Sequence, residues 1–342
     1  MGTNCSCFSN RIIYSDIQIS EDHKIQTNYI IKANFPNYIT SVIKIQALYK
    51  GYIYRKKRKE PMKFLLSKTP STNSFSIIEK TKITQKQLEH LFSQYTPIKD
   101  SINIITIQVA FPNLAEYSGE WNPLTKERHG RGIQLWKDNS MYLGQWKNDK
   151  ANGKGKMVLS SGEYYEGDFI NDKAEGYGVY VHQNGCTYEG QWKNNLQNGN
   201  GKMRWPFKNE EYEGEFNFGK KHGNGKLLFN DGSVYIGQFV NDKIQGKGLK
   251  VWPDKRQYEG YFKNGRFDGE GEFKWPDGRV YKGHYIEDEK NGYGEFTWVN
   301  GKKYRGYWKN GKQHGKGELF SVHENTWKSG TWNEGKRVRW ND

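Results

Sequence analysis

One box of residues, aromatic-x-Gly-x-aromatic, recurs from Tyr117 onward and limits what this chain can fold into. It opens at Tyr117, Tyr142, Tyr165, Tyr188, Tyr212, Tyr235, Tyr258, Tyr281 and Tyr304, in steps of 23 to 25 residues. Nine copies at so regular a period define a repeat architecture, in which each unit buries its face only against its neighbours. A tenth copy, Trp327 to Trp332, is slipped by one residue and stops early, and it reads as a terminal cap.

The inside of one unit predicts its structure. Tyr258, Gly260 and Phe262 alternate with Glu259 and Tyr261, and Gly269, Gly271, Phe273 and Trp275 alternate with Glu270, Glu272 and Lys274. Such a period of two marks two half-buried strands, so each unit is expected to be a β-hairpin. Asn264-Gly265 closes the hairpin and Asp277-Gly278 links it to the next, both pairs favouring turns with positive φ. The glycines fall on the aromatic face. We therefore expect rings to lie flat on the backbone at Gly269, Gly271 and their counterparts, where a side chain is missing.

The repeat resembles that of the MORN (membrane occupation and recognition nexus) family, which reads Tyr-Glu-Gly-x-Trp-x-x-Gly-x-x-His-Gly-x-Gly. Tyr304-Arg305-Gly306-Tyr307-Trp308, Gly311, His314-Gly315 and Gly317 follow it almost position for position. The resemblance covers residues 117–342 and implies an elongated, single-layer antiparallel meander of MORN β-hairpins. The predicted fold class is thus all-β repeat, with the array over residues 114–342 preceded by a basic α-helix and a short capping helix.

Upstream, the chain has a different character. Residues 1–116 carry 16 Lys and Arg against 8 Asp and Glu, a net +8 of the chain's +15. No run of 18 apolar residues is present, so no segment is expected to span a bilayer. Three cysteines do not make a disulfide framework, and a reducing cytosol is the natural setting. Met1-Gly2-Thr3-Asn4-Cys5-Ser6 fits the N-myristoylation template, with Cys5 and Cys7 placed for palmitoylation. One myristoyl chain binds a membrane only marginally, and a second acyl chain or a basic patch makes attachment durable. Residues 1–10 are therefore assigned as a lipid-anchor segment, and 11–41 as a flexible polar one.

Residues 42–60 contain Ile45-Gln46-Ala47-Leu48-Tyr49-Lys50-Gly51-Tyr52-Ile53-Tyr54-Arg55, which resembles a complete IQ motif. On a helix, Val42, Ile45, Tyr49, Tyr52 and Ile53 form an apolar stripe flanked by Gln46, Lys50, Gly51 and Arg55. Calmodulin, centrin or a similar EF-hand protein is the expected partner, gripping the stripe in a Met-rich groove. Arg55, Lys56, Lys57, Arg58 and Lys59 continue as a basic patch suited to an anionic membrane surface. Pro61 ends the helix. Residues 61–113 read as a linker with a short helix over 84–95, where Thr84 to Gln87 form a capping-box pattern and Leu88, Leu91, Phe92 and Tyr95 share a face. That helix, or the apolar run Ile102 to Phe111, is expected to cover the first edge of the sheet.

The repeats carry little that reads as reaction chemistry. Glu166, Glu189, Glu213 and Glu259 recur at one polar repeat position, as a solvated stripe does. His129, His222 and His314 lie one to a hairpin, so no metal site is expected, and Cys186 has no recognisable base near it. Gly-x-Gly lacks the following helix that a phosphate loop needs. No cofactor and no nucleic acid is expected, since the rings needed for stacking on bases are those the repeat buries.

The sequence thus predicts a non-enzymatic, acylated scaffold on the cytoplasmic face of a membrane at the plasma membrane or cell cortex. It would bind an EF-hand protein through its IQ helix and present the array to a protein partner or to phosphoinositides. The alternatives are a ciliary part similar to the MORN proteins of radial-spoke heads, a part of the cortical cytoskeleton, or a regulatory subunit of a lipid-signalling enzyme.

Overall fold

A computed structural model describes residues 104–111, 113 and 115–341, together with Phe92, Ser93, Tyr95 and Pro97. The acylation template and the IQ segment lie outside the described residues, as does most of the 84–95 helix. Of that helix, Phe92 has helical backbone, the Tyr95 N–H donates to the Phe92 carbonyl at 2.9 Å, and both rings are buried. The chain divides into two compact units, with the boundary between Gly155 and Lys156.

In the first unit, β1 (Ile105–Ala110), β2 (Glu116–Asn122), β3 (Glu127–Leu135) and β4 (Met141–Lys147) pair in sequence order, all antiparallel. The apolar run around Ile107 is therefore strand β1, laid along the outer edge of β2. Strand β5 (Lys150–Val158) contributes residues to both units.

The second unit holds β6 (Tyr164–Ile170), β7 (Lys173–Val181), β8 (Thr187–Lys193), β9 (Leu196–Trp205), β10 (Glu210–Asn217), β11 (Lys220–Leu228), β12 (Val234–Val240) and β13 (Lys243–Val251). It continues with β14 (Gln257–Lys263), β15 (Arg266–Lys274), β16 (Val280–Ile286), β17 (Glu289–Thr297), β18 (Lys303–Lys309), β19 (Lys312–Ser321), β20 (Thr326–Asn333) and β21 (Lys336–Trp340). Each strand pairs antiparallel with the next, and every described residue of this unit belongs to that meander or to its turns.

Strands β14 and β15 show how the repeat sequence makes a hairpin. Asn264 and Gly265 have φ of 53° and 83°, the double positive φ of a type I′ turn, whose twist matches that of the strands it joins. From the turn, Phe262 faces Phe267 and then Gly260 faces Gly271, so one residue of β14 opposes three of β15. That single residue is Tyr261. Its carbonyl accepts the Tyr258 hydroxyl at 3.0 Å. The same bond recurs in every box, from Tyr117 to the Glu120 carbonyl at 2.6 Å to Tyr304 to the Tyr307 carbonyl at 3.0 Å. The bulge and the invariant tyrosine thus fit one another, the hydroxyl pairing inside the sheet with a carbonyl at the irregularity.

The rings then form the core. Tyr188, Tyr212, Tyr235, Tyr258, Tyr281 and Tyr304 are fully buried. Each meets the fifth residue of its own box and that of the next box edge to face, as Tyr212 does with Phe216 at 5.1 Å and Phe239 at 5.0 Å. This column runs from Tyr165 and Trp192 to Tyr304 and Trp332. Edge-to-face pairs add ~0.5–1.5 kcal/mol each beyond the area they bury, which lets a sheet poor in aliphatic residues hold together.

One expectation about the glycines is corrected. The ring of Tyr258 covers Gly271 and Gly260 but not Gly269. A Cβ on Gly271 would lie 2.6 Å from the Tyr258 ring, and one on Gly260 would lie 2.6 Å from the Glu270 carbonyl oxygen. Gly269 instead has φ of +105° and sits at the bulge, where its Cβ would approach the Tyr261 Cβ at 3.1 Å. The first glycine of Gly-x-Gly makes the bulge, and the second makes room for the ring.

The slipped tenth copy also has a structural outcome. Register places Lys328, not Trp327, opposite Leu319, at the position where the earlier repeats have tyrosine. Trp327 packs on Phe320 at 5.3 Å under the Arg305 guanidinium, and Trp332 closes the ring column against Tyr304 at 4.9 Å.

Candidate interaction face

The two faces of the second unit differ in chemistry. On the face opposite the ring column, strands are laced by cross-strand ion pairs, among them Lys156–Glu166 at 2.8 Å, Lys202–Glu213 at 2.9 Å and Arg305–Glu318 at 2.5 Å. Glu166, Glu213 and Glu259 are exposed here and Glu189 is half-buried, the solvated stripe that their spacing predicts. Tyr177, Tyr261, Tyr293 and Tyr307 are each at least half exposed on this face, with Tyr293 and Tyr307 in edge-to-face contact at 5.8 Å. The rings of the array are therefore not all buried, which corrects the argument made above against stacking partners.

The ring-column face carries a second row of aromatics near the loops that link the hairpins. Trp252 meets Phe273 at 5.6 Å, Phe273 meets Trp275 at 4.4 Å, Trp275 meets Phe296 at 5.6 Å and Phe296 meets Trp298 at 4.7 Å. The tryptophans are half-buried. Each is topped by the cation four residues later: Arg256 lies 5.4 Å from Trp252, Arg279 5.3 Å from Trp275 and Lys302 5.6 Å from Trp298.

The loop sequence sets this geometry. In Trp275-Pro276-Asp277-Gly278-Arg279, the Gly278 N–H donates to the Trp275 carbonyl at 3.0 Å, and Gly278 has φ of 94°. The Asp277 carboxylate accepts the Arg279 backbone N–H at 3.1 Å and its Nε at 2.8 Å, which steers the guanidinium back over the indole. Asp254 does the same for Arg256, at 3.1 and 2.7 Å. In the third loop Asn300 holds only the Lys302 backbone N–H, at 3.2 Å. Pro253, Pro276 and Val299 stand exposed at the loop tips.

Within these three repeats, two lysines lie deeper on this face. The Lys290 Nζ sits among Phe296, Trp308, Tyr281 and Trp275 at 4.9, 5.1, 5.2 and 5.3 Å from the ring centroids. Burial, aided by the charge of Arg279, pushes its amine down to about 8. Lys250 lies over Phe229 at 4.9 Å and Trp252 at 5.0 Å, and burial lowers its amine too. Cations interleaved with half-buried indoles thus run through three consecutive repeats.

None of the predicted lipid-attachment, EF-hand-binding or basic-patch residues falls among the described ones, so the structure brings none of them together. His129 is buried in the first unit, while His222 and His314 are half-buried in separate hairpins of the second. Among the described residues no group of three or more His, Cys, Asp or Glu side chains is arranged to hold a metal ion. No described helix is long and apolar enough to cross a membrane. Sequence reasoning missed the loop rim, although its signal was present: Trp-Pro-Asp-x-Arg recurs 23 residues apart at Trp252 and Trp275, and Trp298-Val299-Asn300-x-Lys302 follows after another 23.

The model of the MORN repeat matches nine segments, residues 126–141, 142–164, 165–187, 188–206, 212–234, 235–255, 258–278, 281–303 and 304–321. These make up more than half the chain, which therefore belongs to the MORN repeat family. The first segment takes only the second half of repeat one. No match is found among curated proteins. Among solved structures, the TCP domain of SAS-4 (dCPAP) of Drosophila melanogaster, in complex with a proline-rich motif of Ana2 (dSTIL), aligns with a TM-score of 0.27 and 14% identity, over 55% of this chain and 96% of that one. The TCP10c domain of Drosophila melanogaster Sas-4 aligns with a TM-score of 0.25 and 12% identity, over 53% of this chain and 100% of that one.

Proposed function

We propose that this MORN-repeat protein is a non-enzymatic scaffold that docks on an anionic membrane surface through the loop rim of its array. The observation that carries this reading is the threefold recurrence of a cation-topped, half-buried tryptophan beside an exposed apolar tip, at Trp252, Trp275 and Trp298. Indole rings favour the headgroup boundary, where an apolar body and a polar edge are both accommodated. Each Lys or Arg near an anionic leaflet contributes about 1 kcal/mol of attraction, so three to five such cations make a measurable affinity. Phosphoinositides, with several charges per headgroup, suit this row of cations. Acyl chains on Gly2, Cys5 and Cys7 and the basic run Arg55 to Lys59 add to the attachment. Calmodulin, centrin or a similar protein on the IQ helix withdraws the contribution of that run.

Co-sedimentation of the non-acylated full chain with vesicles tests the rim. Vesicles containing anionic lipid should bring the protein down in a salt-sensitive manner, and neutral vesicles should not. The triple variant Arg256→Glu, Arg279→Glu and Lys302→Glu should lower the sedimented fraction at least tenfold without changing the circular dichroism spectrum. Equal sedimentation of variant and wild type would remove the rim from the proposal. In cells, Gly2→Ala should shift part of the protein to the soluble fraction, and unchanged membrane association would remove the anchor.

A further inference from the structure

The two terminal strands of the described array differ in how they guard their edges. Each residue of strand β21 is exposed, three of them being Lys336, Arg337 and Arg339, and its pairing with β20 is interrupted by a register shift at Thr331 and Trp332. Charge and irregularity of this kind keep an edge from pairing with another strand. Strand β1, Ile-Thr-Ile-Gln-Val-Ala, has neither device. It pairs with β2 over six consecutive residues without a shift, and among the described residues no strand pairs with its other side. Ile105 is 47% exposed. No charged residue occurs anywhere in 101–111. An uncharged, β-branched, regular edge strand is a template for another strand.

We propose that β1 is a self-association edge, pairing antiparallel with β1 of a second copy about a two-fold axis at Ile107. Register with β2 sets Ile105, Ile107 and Val109 opposite Trp121, Gly119 and Tyr117, so these three side chains share the ring-column face. An axis normal to the sheet at Ile107 keeps that face on one side. It sets Ile107 against Ile107 and Ile105 against Val109, and continues the apolar surface from Trp121 of one copy to Trp121 of the other. Thr106 faces Gln108 on the opposite side. A second copy fits better than a basic segment of this chain, because β1 has no carboxylate to attract one. The β21 edge cannot do the same, since self-pairing there would bring six cations together, and like charges directly opposite are destabilising. An isologous contact of this kind closes as a dimer and does not propagate.

Light scattering on the size-separated full chain should give twice the chain mass, falling towards the monomer on dilution. Thr106→Lys with Gln108→Lys alters only exposed side chains of β1 and sets four ammonium groups around the axis. It should yield a monomer whose thermal melt retains the wild-type near-ultraviolet signal. In a Cys5→Ser, Cys7→Ser background, Ile107→Cys should crosslink to its own counterpart on mild oxidation, since the Cα separation of ~4.5–5.5 Å across an antiparallel pair lies in the disulfide range. A chain monomeric at every concentration, or a dimer indifferent to the two lysines and not captured at position 107, would overturn the assignment.

Discussion

Between pH 10 and 11.5 the repeat array should unfold, with the phenolate absorbance of its box tyrosines rising in the same transition that abolishes its circular dichroism. Burial pushes the phenols of Tyr165, Tyr188, Tyr212, Tyr235, Tyr258, Tyr281 and Tyr304 upward, to about 12 for Tyr235 and Tyr304 and further for the others. In the unfolded chain these groups ionise near ~10. A group whose folded pKa is raised contributes stability that is fully present below its unfolded pKa and is lost as pH climbs towards the folded one. Each such tyrosine forfeits ~1.4 kcal/mol per pH unit above 10, and halving that for solvent screening still leaves about 5 kcal/mol for seven of them at pH 11. That is comparable to the whole stability of an ordinary domain, ~5–15 kcal/mol. Tyr258→Phe tests the origin of the effect. It keeps the ring, removes one ionisable group and gives up the 3.0 Å bond to the Tyr261 carbonyl. The variant should be less stable at pH 8 by about 1 kcal/mol and should lose less stability on going to pH 11 than the wild type does. Full phenolate absorbance, from box and exposed tyrosines alike, reached near pH ~10 while the sheet stays intact would show that the box hydroxyls reach solvent.

The hairpins, their turns and the inward side of each box strand were legible because a period of two is all a half-buried strand requires. In β14, Tyr258, Gly260 and Phe262 are buried while Glu259 and Tyr261 are exposed, as alternation demands. Alternation fails in β15, where the bulge sets three residues against Tyr261 and shifts the phase by the time the chain reaches Gly269. No pattern within one strand reveals that shift, since it depends on the partner strand and on a hydroxyl reaching across the irregularity. The loop rim escaped for another reason. Trp275 and Arg279 flank a turn, where strand periodicity says nothing, and their contact arises from the Asp277 carboxylate holding the arginine. Counting the 23-residue recurrence of that pentapeptide would have exposed it without any structure.

The two glycines of Gly-x-Gly should respond to substitution in different ways, and the difference assigns their roles. Gly271→Ala is expected to cost on the order of 3 kcal/mol, the upper end of what overpacking a well-packed core costs. Its Cβ would come within 2.6 Å of the Tyr258 ring, and that ring cannot retreat. Phe267 is stacked on it at 3.7 Å, and Phe262 and Tyr285 hold its edges at 5.1 and 5.3 Å. Gly269→Ala should cost less, ~1–3 kcal/mol, through the strain of an L-residue at φ of +105°. Glu270→Val lies in a strand and points to solvent, so it should change stability by less than ~0.5 kcal/mol. A double-mutant cycle with Tyr258→Ala separates the two mechanisms. Once the ring is gone, the methyl at Gly271→Ala has open space and its cost should nearly vanish. The cost of Gly269→Ala should persist undiminished, because backbone strain does not depend on the tyrosine. Thermal melts of the four single and two double variants decide the matter. If both glycine substitutions are rescued alike by Tyr258→Ala, the bulge glycine also serves the ring, and the division of labour drawn from the register is wrong.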